Sequence, residues 1–203
     1  MSVLLAITDN LAPLRRFVRE MTQLIASRHE EKQFLAEGGQ LLKALITDDS
    51  WLPERFSRPS LERYQQYLLY CDPLERFSVV SFVWGPGQST PVHDHTVWGL
   101  VGMLRGAERA VSYTMATDGR LTAIDEDVLR PGDIAAVSPR IGDLHAVSNV
   151  FSDRPSISIH VYGANIGVVR RHVYDPTEGR RKGFISGYAD DVMPNIWGNE
   201  PGT

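Results

Sequence analysis

His93 and His95, in the run Gly87-Gln-Ser-Thr-Pro-Val-His-Asp-His, and His145, in Pro139-Arg-Ile-Gly-Asp-Leu-His, are the residues of this chain best suited to chemistry. On an extended segment residues i and i+2 point to one face, so two imidazoles can share an ion, and a third from a later strand can close one face of a transition metal. Three neutral nitrogens suit Fe, Cu, Ni or Zn and leave other coordination positions open. Without a carboxylate in the set an Fe(II) ion keeps more of its positive charge, which favours an anionic ligand such as a thiolate. Asp94 falls on the opposite pleat face and reads as a supporting group, not a ligand. Alone, a His-x-His pair is more often satisfied by neighbours or solvent than by a metal.

A second constellation lies in Ser156-Ile-Ser-Ile-His-Val-Tyr162. Strand alternation puts Ser158, His160 and Tyr162 on one face and Ile157, Ile159 and Val161 on the other. The polar face is either a barrel interior whose groups satisfy one another or, beside a metal, a hydrogen-bond relay. In the relay Ser158 fixes the His160 tautomer and His160 orients the Tyr162 hydroxyl. Arg170 and Arg171 form a pair of the kind usually found on a solvated face. A member pointing inward would offer a planar fork to a carboxylate.

The elements that must position these groups divide the chain in two. Residues from about 11 to 46 carry apolar positions at helical spacing, including Leu14, Phe17, Val18, Met21, Leu24 and Ile25, and predict two helices. A third short helix is expected after Pro59, capped by Ser60, with Tyr64, Tyr67 and Leu68 inward. From Phe77 onward, short β-branched and aromatic runs alternate with turn signals such as Asp118-Gly119 and Pro131-Gly132-Asp133, the pattern of an antiparallel barrel. The expectation is a single domain over 1–203, mainly β: a small β-barrel or jelly roll from about 76 to 200, with an N-terminal helical part over about 1–75 packed against it.

The 203 residues carry a net charge of -4 with no long Lys/Arg run, so neither nucleic acid nor an anionic membrane is the expected partner. Cys71 is the sole cysteine, so no intrachain disulfide can form. The N-terminal residues lack a basic region followed by a long apolar stretch, and no apolar run approaches membrane-spanning length, which predicts a cytoplasmic protein.

The pattern Gly87-x5-His93-x-His95-x3-Gly99-x6-Gly106 resembles the first motif of the cupin superfamily, with Gly99 in place of its usual glutamate. Pro139-x2-Gly142-x2-His145-x3-Asn149 resembles the second motif, one residue longer between Pro and Gly. Together the two spacings turn the histidine set into an expected metal site. Five stretches further resemble bacterial thiol dioxygenases of the cysteine dioxygenase family, in their 3-mercaptopropionate branch: 77–87, 91–100, 138–149, 156–167, and the tail Ile185-Ser-Gly-Tyr with Pro194-Asn-Ile-Trp197. The likeness runs from about Trp51 to Trp197.

That resemblance implies Fe(II) held by His93, His95 and His145, and insertion of both atoms of O2 into a small thiol to give a sulfinic acid. It implies catalytic roles for Ser158, His160 and Tyr162, and a carboxylate-binding role for Arg171. Two departures separate the chain from the mammalian pattern. Gly99 stands where the cysteine cross-linked to the tyrosine would be, so no thioether at Tyr162 is expected. Gln66 stands where an arginine would hold the carboxylate, which passes that task to Arg171 and leaves Gln66 a hydrogen-bonding role toward substrate. The expected substrate is 3-mercaptopropionate, with L-cysteine as the alternative and cysteamine disfavoured for want of a carboxylate. The rivals are a cupin isomerase or carbon dioxygenase using Zn, Mn or Ni, and a non-catalytic metal-binding cupin module.

Overall fold

The computed structural model describes residues 10–27, 30–190, 193 and 195–197. The first nine residues, on which the reading of the N-terminus rests, and Pro194 of the tail motif lie outside them. Two helices come first, α1 (Ala12–Ala26) and α2 (Glu31–Leu45), followed by one turn of 3-10 helix over Glu54–Ser57. Eleven strands follow: β1 (Gln65–Cys71), β2 (Ser78–Trp84), β3 (Val92–His93), β4 (Gly99–Arg105), β5 (Glu108–Met115), β6 (Leu121–Leu129), β7 (Ile134–Val137), β8 (His145–Asn149), β9 (Ser156–Tyr162), β10 (Arg171–Tyr174) and β11 (Arg181–Phe184).

The strands form two antiparallel sheets, one in the order β1-β2-β9-β4-β7 and one in the order β11-β10-β3-β8-β5-β6. This is the cupin-type barrel with N-terminal helices that the motifs predict. The two turns fall where expected: Gly119 (φ 87°) closes the β5–β6 hairpin and Gly132 (φ 91°) turns the chain from β6 into β7.

The expected helix after Ser60 is a strand. Residues 61–63 bend, and Gln65–Cys71 pairs with β2 in the register Gln66↔Phe82 and Tyr67↔Ser81. The spacing of Tyr64, Tyr67 and Leu68 suggested a helical period, but it is Tyr67 and Leu69 that are buried, two apart. Strand-favouring tyrosines beside an available edge decide the conformation that local spacing leaves open. The β part therefore begins at Gln65, about ten residues earlier than expected.

The helices cover the outer face of the five-stranded sheet. Leu14, Phe17, Met21 and Leu42 pack with Val79, Val83, Leu100, Ile157, Ile159 and Val161 in one buried cluster. Close approach requires glycine: a Cβ on Gly102 would lie 3.0 Å from atoms of Leu42 and Ile46, and one on Gly38 would lie 3.0 Å from Leu100. The inner face of the same sheet builds a second cluster from Val80, Phe82, Trp84 and Tyr162 with Val147 of the facing sheet. Ser158, His160 and Tyr162 sit along this inner face, and His93, His145 and Arg171 come from the facing six-stranded sheet.

Candidate metal centre and substrate cavity

Two paired strands and the residues that follow one of them bring the histidines together. His93 ends β3, His145 begins β8, and the two are direct cross-strand partners, while His95 follows two residues after His93. The ring centroids lie 4.9 Å (His93–His95), 4.7 Å (His93–His145) and 4.8 Å (His95–His145) apart, a nearly equilateral tripod. One nitrogen from each falls within 4.8 Å of the others. All three rings are buried, and burial is the chief reason their basicity falls: His93 is pushed down to about 4, and His95 and His145 well below the ordinary imidazole range. They are neutral near pH 7, the form that donates a lone pair to a metal.

The outer nitrogens of two rings are already committed. His93 Nδ1–H donates to the Pro91 carbonyl at 3.1 Å and His95 Nδ1–H donates to Asp143 Oδ1 at 2.9 Å, which leaves Nε2 of each as the inward donor. Asp143 also accepts from the backbone N–H of His95 at 3.0 Å and of Thr96 at 2.9 Å. Thr96 has φ 60°, a left-handed conformation unusual for a β-branched residue, and the Asp143 carboxylate binds the backbone where that strain is held. Asp94 faces away as expected: its carboxylate accepts from His172 N–H at 2.7 Å, His172 Nδ1 at 3.0 Å and Tyr174 Oη at 2.7 Å, anchoring β10 beside the site. A tripod of neutral, oriented imidazoles with no charged donor fits a divalent transition metal.

The predicted relay is formed. Ser158 Oγ lies 2.8 Å from His160 Nε2, and His160 Nδ1 lies 2.8 Å from Tyr162 Oη. Phe82 stacks on the His160 ring at 4.0 Å between centroids, and Tyr162 stacks on His95 at 5.4 Å, so the relay ends against the tripod. Burial holds His160 neutral, its pKa lowered to about 3, and pushes the Tyr162 phenol upward. A Cβ on Gly99 would come within 3.0 Å of the Tyr162 ring, so this backbone meets the tyrosine face with no side chain between them.

These groups line a cavity of about 250 Å³. Of the arginine pair, Arg170 is exposed, whereas Arg171 is 3% exposed and reaches the cavity. Its Nη2–H donates to Ser186 Oγ at 2.6 Å and its guanidinium lies 4.8 Å from the Phe184 ring centroid, while its Nε has no partner among the described residues. Gln66 reaches the same cavity with its Oε1 buried and unpartnered. Two orphan polar atoms lining one cavity, one on a charged donor, mark a surface suited to a ligand.

Sequence reasoning passed over two groups that the structure places at the site. Asp143 stands in the Gly-Asp-Leu-His run two residues before His145, a signal that a carboxylate could serve a histidine. Glu108 left no signal: it looks like half of an ordinary Glu-Arg surface pair until the β5–β8 register, Glu108↔Asn149, buries it to 2% exposure against Ser158.

A three-histidine centre inside a cupin-type barrel, with a polar relay at its edge, defines the class. The family model for cysteine dioxygenase type I matches residues 11–175, and the chain belongs to that family. Cysteine dioxygenase type 1 of Homo sapiens is 28% identical over 109 residues, covering 52% of this chain and 53% of that protein, and the Bos taurus enzyme is 26% identical over 113 residues, covering 54% and 55%. The chain thus aligns with about half the length of these curated relatives. Among solved structures, a double-stranded β-helix protein from Klebsiella pneumoniae is similar at TM-score 0.44 and 21% identity, covering 55% of this chain and 87% of that one. No helix among the described residues is long and apolar enough to cross a membrane.

Proposed function

We propose that the chain acts as a single-domain, Fe(II)-dependent thiol dioxygenase that converts 3-mercaptopropionate and O2 to 3-sulfinopropionate. The observation that carries this reading is the shared cavity: an inward arginine with an unused N–H stands in the same enclosure as the three neutral imidazoles. His93, His95 and His145 would hold the iron, which when bound supplies open positions for thiol and O2 and the electrons that activate O2. Arg171 binds the substrate carboxylate, and Ser186 and Phe184 fix its fork in place. Gln66 adds a hydrogen bond from the cavity wall. Tyr162, held by His160 and Ser158, presents its hydroxyl to the reacting sulfur and oxygen atoms. The apolar walls, Phe82, Trp84 and Val147 among them, exclude water from the reacting sulfur.

The lining favours the mercaptopropionate over its amino-acid counterpart. Among the described residues no carboxylate lines the cavity, so the ammonium group of L-cysteine or cysteamine finds no charged partner there, and cysteamine also leaves the Arg171 charge without a carboxylate. L-Cysteine is the second reading because the free Gln66 Oε1 can accept from an ammonium.

The test is oxygen uptake by the Fe(II)-loaded protein with 3-mercaptopropionate, L-cysteine and cysteamine in parallel, with products identified by mass. Sulfinate forming fastest from 3-mercaptopropionate is the expected result. Faster turnover of cysteine moves the assignment to the second reading, and no thiol-dependent uptake with any of the three returns the barrel to other metal-dependent chemistry or to ligand binding. Arg171→Ala should lower kcat/KM for the carboxylate thiols by about 10- to 100-fold, the range expected for losing a charged hydrogen bond, and an unchanged value removes Arg171 from substrate binding.

A further inference from the structure

The relay does not end at Ser158. Glu108 enters the barrel from β5, and its Oε2 accepts from Ser158 Oγ at 2.9 Å. The Trp84 indole N–H, 3.3 Å from the same Oγ, closes the group. A continuous line of polar atoms therefore runs from the cavity inward: Tyr162 Oη, His160 Nδ1, His160 Nε2, Ser158 Oγ, Glu108 Oε2. Each link is 2.8 or 2.9 Å long, and every member is buried.

The line has two self-consistent states. With Glu108 ionised, Ser158 donates to the carboxylate, His160 Nε2–H donates to Ser158, and Tyr162 donates to His160 Nδ1. With Glu108 protonated every bond reverses: Glu108 donates to Ser158, Ser158 to His160 Nε2, His160 Nδ1–H to Tyr162, and the Tyr162 hydroxyl is freed to donate into the cavity. The Trp84 N–H is an acceptable donor in both. The states differ by one proton, which enters at Tyr162 and is recovered at Glu108.

We propose that Glu108 is the proton store of the site: the proton lost when a thiol ionises in the cavity passes to Tyr162 Oη, whose own proton moves to His160 Nδ1, the Nε2 proton to Ser158, and the Ser158 proton to the Glu108 carboxylate. The inference rests on the thiol reading above. In the balance, the S–H bond breaks, an O–H bond forms at Glu108, and the negative charge moves from carboxylate to sulfur, leaving the net charge of the interior unchanged. The same transfer turns the Tyr162 hydroxyl toward the substrate. Glu108 touches no substrate, so it is a positioning residue acting through Ser158.

Its surroundings suit the task. Burial lifts the carboxyl to about 7, against the lowering effect of hydrogen bonds from Ser158 and Trp84, so both protonation states are accessible near neutral pH. The ionisable groups of β9 on its side are His160 and, beyond it, Tyr162. The neighbouring strands present Leu129 on β6 and Asn149 on β8 opposite it and Trp84 from β2, all uncharged. The nearby charges lie elsewhere: Arg105 pairs with Asp49, Arg109 pairs with Glu126 in solvent, and Asp127 on the neighbouring strand β6 is exposed.

Two measurements test the proposal. The first follows the His160 ring nitrogens by 15N NMR in metal-free protein. The wild type should change tautomer with pH across the Glu108 transition, while Glu108→Gln should hold one tautomer throughout. A tautomer that ignores pH in the wild type, or titrates alike in both proteins, overturns the proposal. The second counts protons released to an indicator dye when 3-mercaptopropionate is added anaerobically to Fe(II)-loaded protein. Glu108→Gln and Ser158→Ala should each release about one proton per thiol bound, and the wild type clearly fewer. Equal release by wild type and variants overturns the proposal. If no thiol binds or is oxidised, the thiol reading fails by itself, and the tautomer result in metal-free protein still decides whether the relay reaches Glu108.

Discussion

The two faces of β9 carry opposite burdens. Ile157, Ile159 and Val161 face the helices and lie in a cluster of apolar side chains, whereas Ser158, His160 and Tyr162 face the barrel interior and are just as deeply buried. The outer face is held by area removed from water, which tolerates exchange of one apolar shape for another of similar volume. The inner face is held by donor and acceptor matching, which tolerates little: a missing member leaves a neighbour buried without a partner. One strand thus fixes the chemistry with its inner side and the position of that chemistry with its outer side.

Substitutions on each face should separate the two burdens. His160→Phe interrupts the relay while keeping an aromatic ring against Phe82; thiol oxidation should fall by about 10²- to 10⁴-fold, the range for a lost proton-transferring group, and stability by about 1–3 kcal/mol, because buried Ser158 and Tyr162 each lose a partner. A variant that keeps its activity would show that the inner face is only packing. Ile159→Ala should cost about 2–5 kcal/mol of stability while metal content and pH profile stay unchanged, and denaturant titration with metal analysis checks both. Asp143→Asn, which weakens the support of His95 without touching the inward nitrogen, should reduce metal affinity by about 10- to 100-fold, measured by competition with a chelator.

The smallest effect concerns pH. His93, His95, His145 and His160 are buried as neutral imidazoles with lowered pKa values, so from about pH 6.5 down to about pH 4 the unfolded chain binds more protons than the folded one. Their contribution to stability is present above about pH 6.5 and is lost as the pH falls. Glu108 and Asp143, with raised pKa values, contribute with the opposite sign, but they are two groups against four. The metal-free protein should therefore melt at lower temperature at about pH 5 than at about pH 7, and His160→Phe should reduce that difference. A flat profile would mean that the rings are hydrated in the metal-free state.

What was legible in the sequence was whatever depends on spacing along one strand. His93 with His95, and Ser158 with His160 and Tyr162, announce shared faces through a period of two, and the structure brings each set together. What was not legible depends on which strands become neighbours. Gln65–Cys71 is a strand because β2 is there to pair with it, and Glu108 is buried because β5 lies beside β8 and faces β9 across the barrel. Asp143 lies between these cases: its place before His145 is visible, but its bond to His95, 48 residues away, exists only in the folded barrel.

That last bond joins parts of the chain that lie far apart in sequence. One carboxylate fastens the His95 ring, two backbone N–H groups and the loop that leads into β8, so folding closes the 48-residue connection between the two halves of the histidine set with protein groups alone. The orientation of the His95 ring is thus carried by groups of the fold itself, in contrast to small metallodomains in which the ion does the ordering.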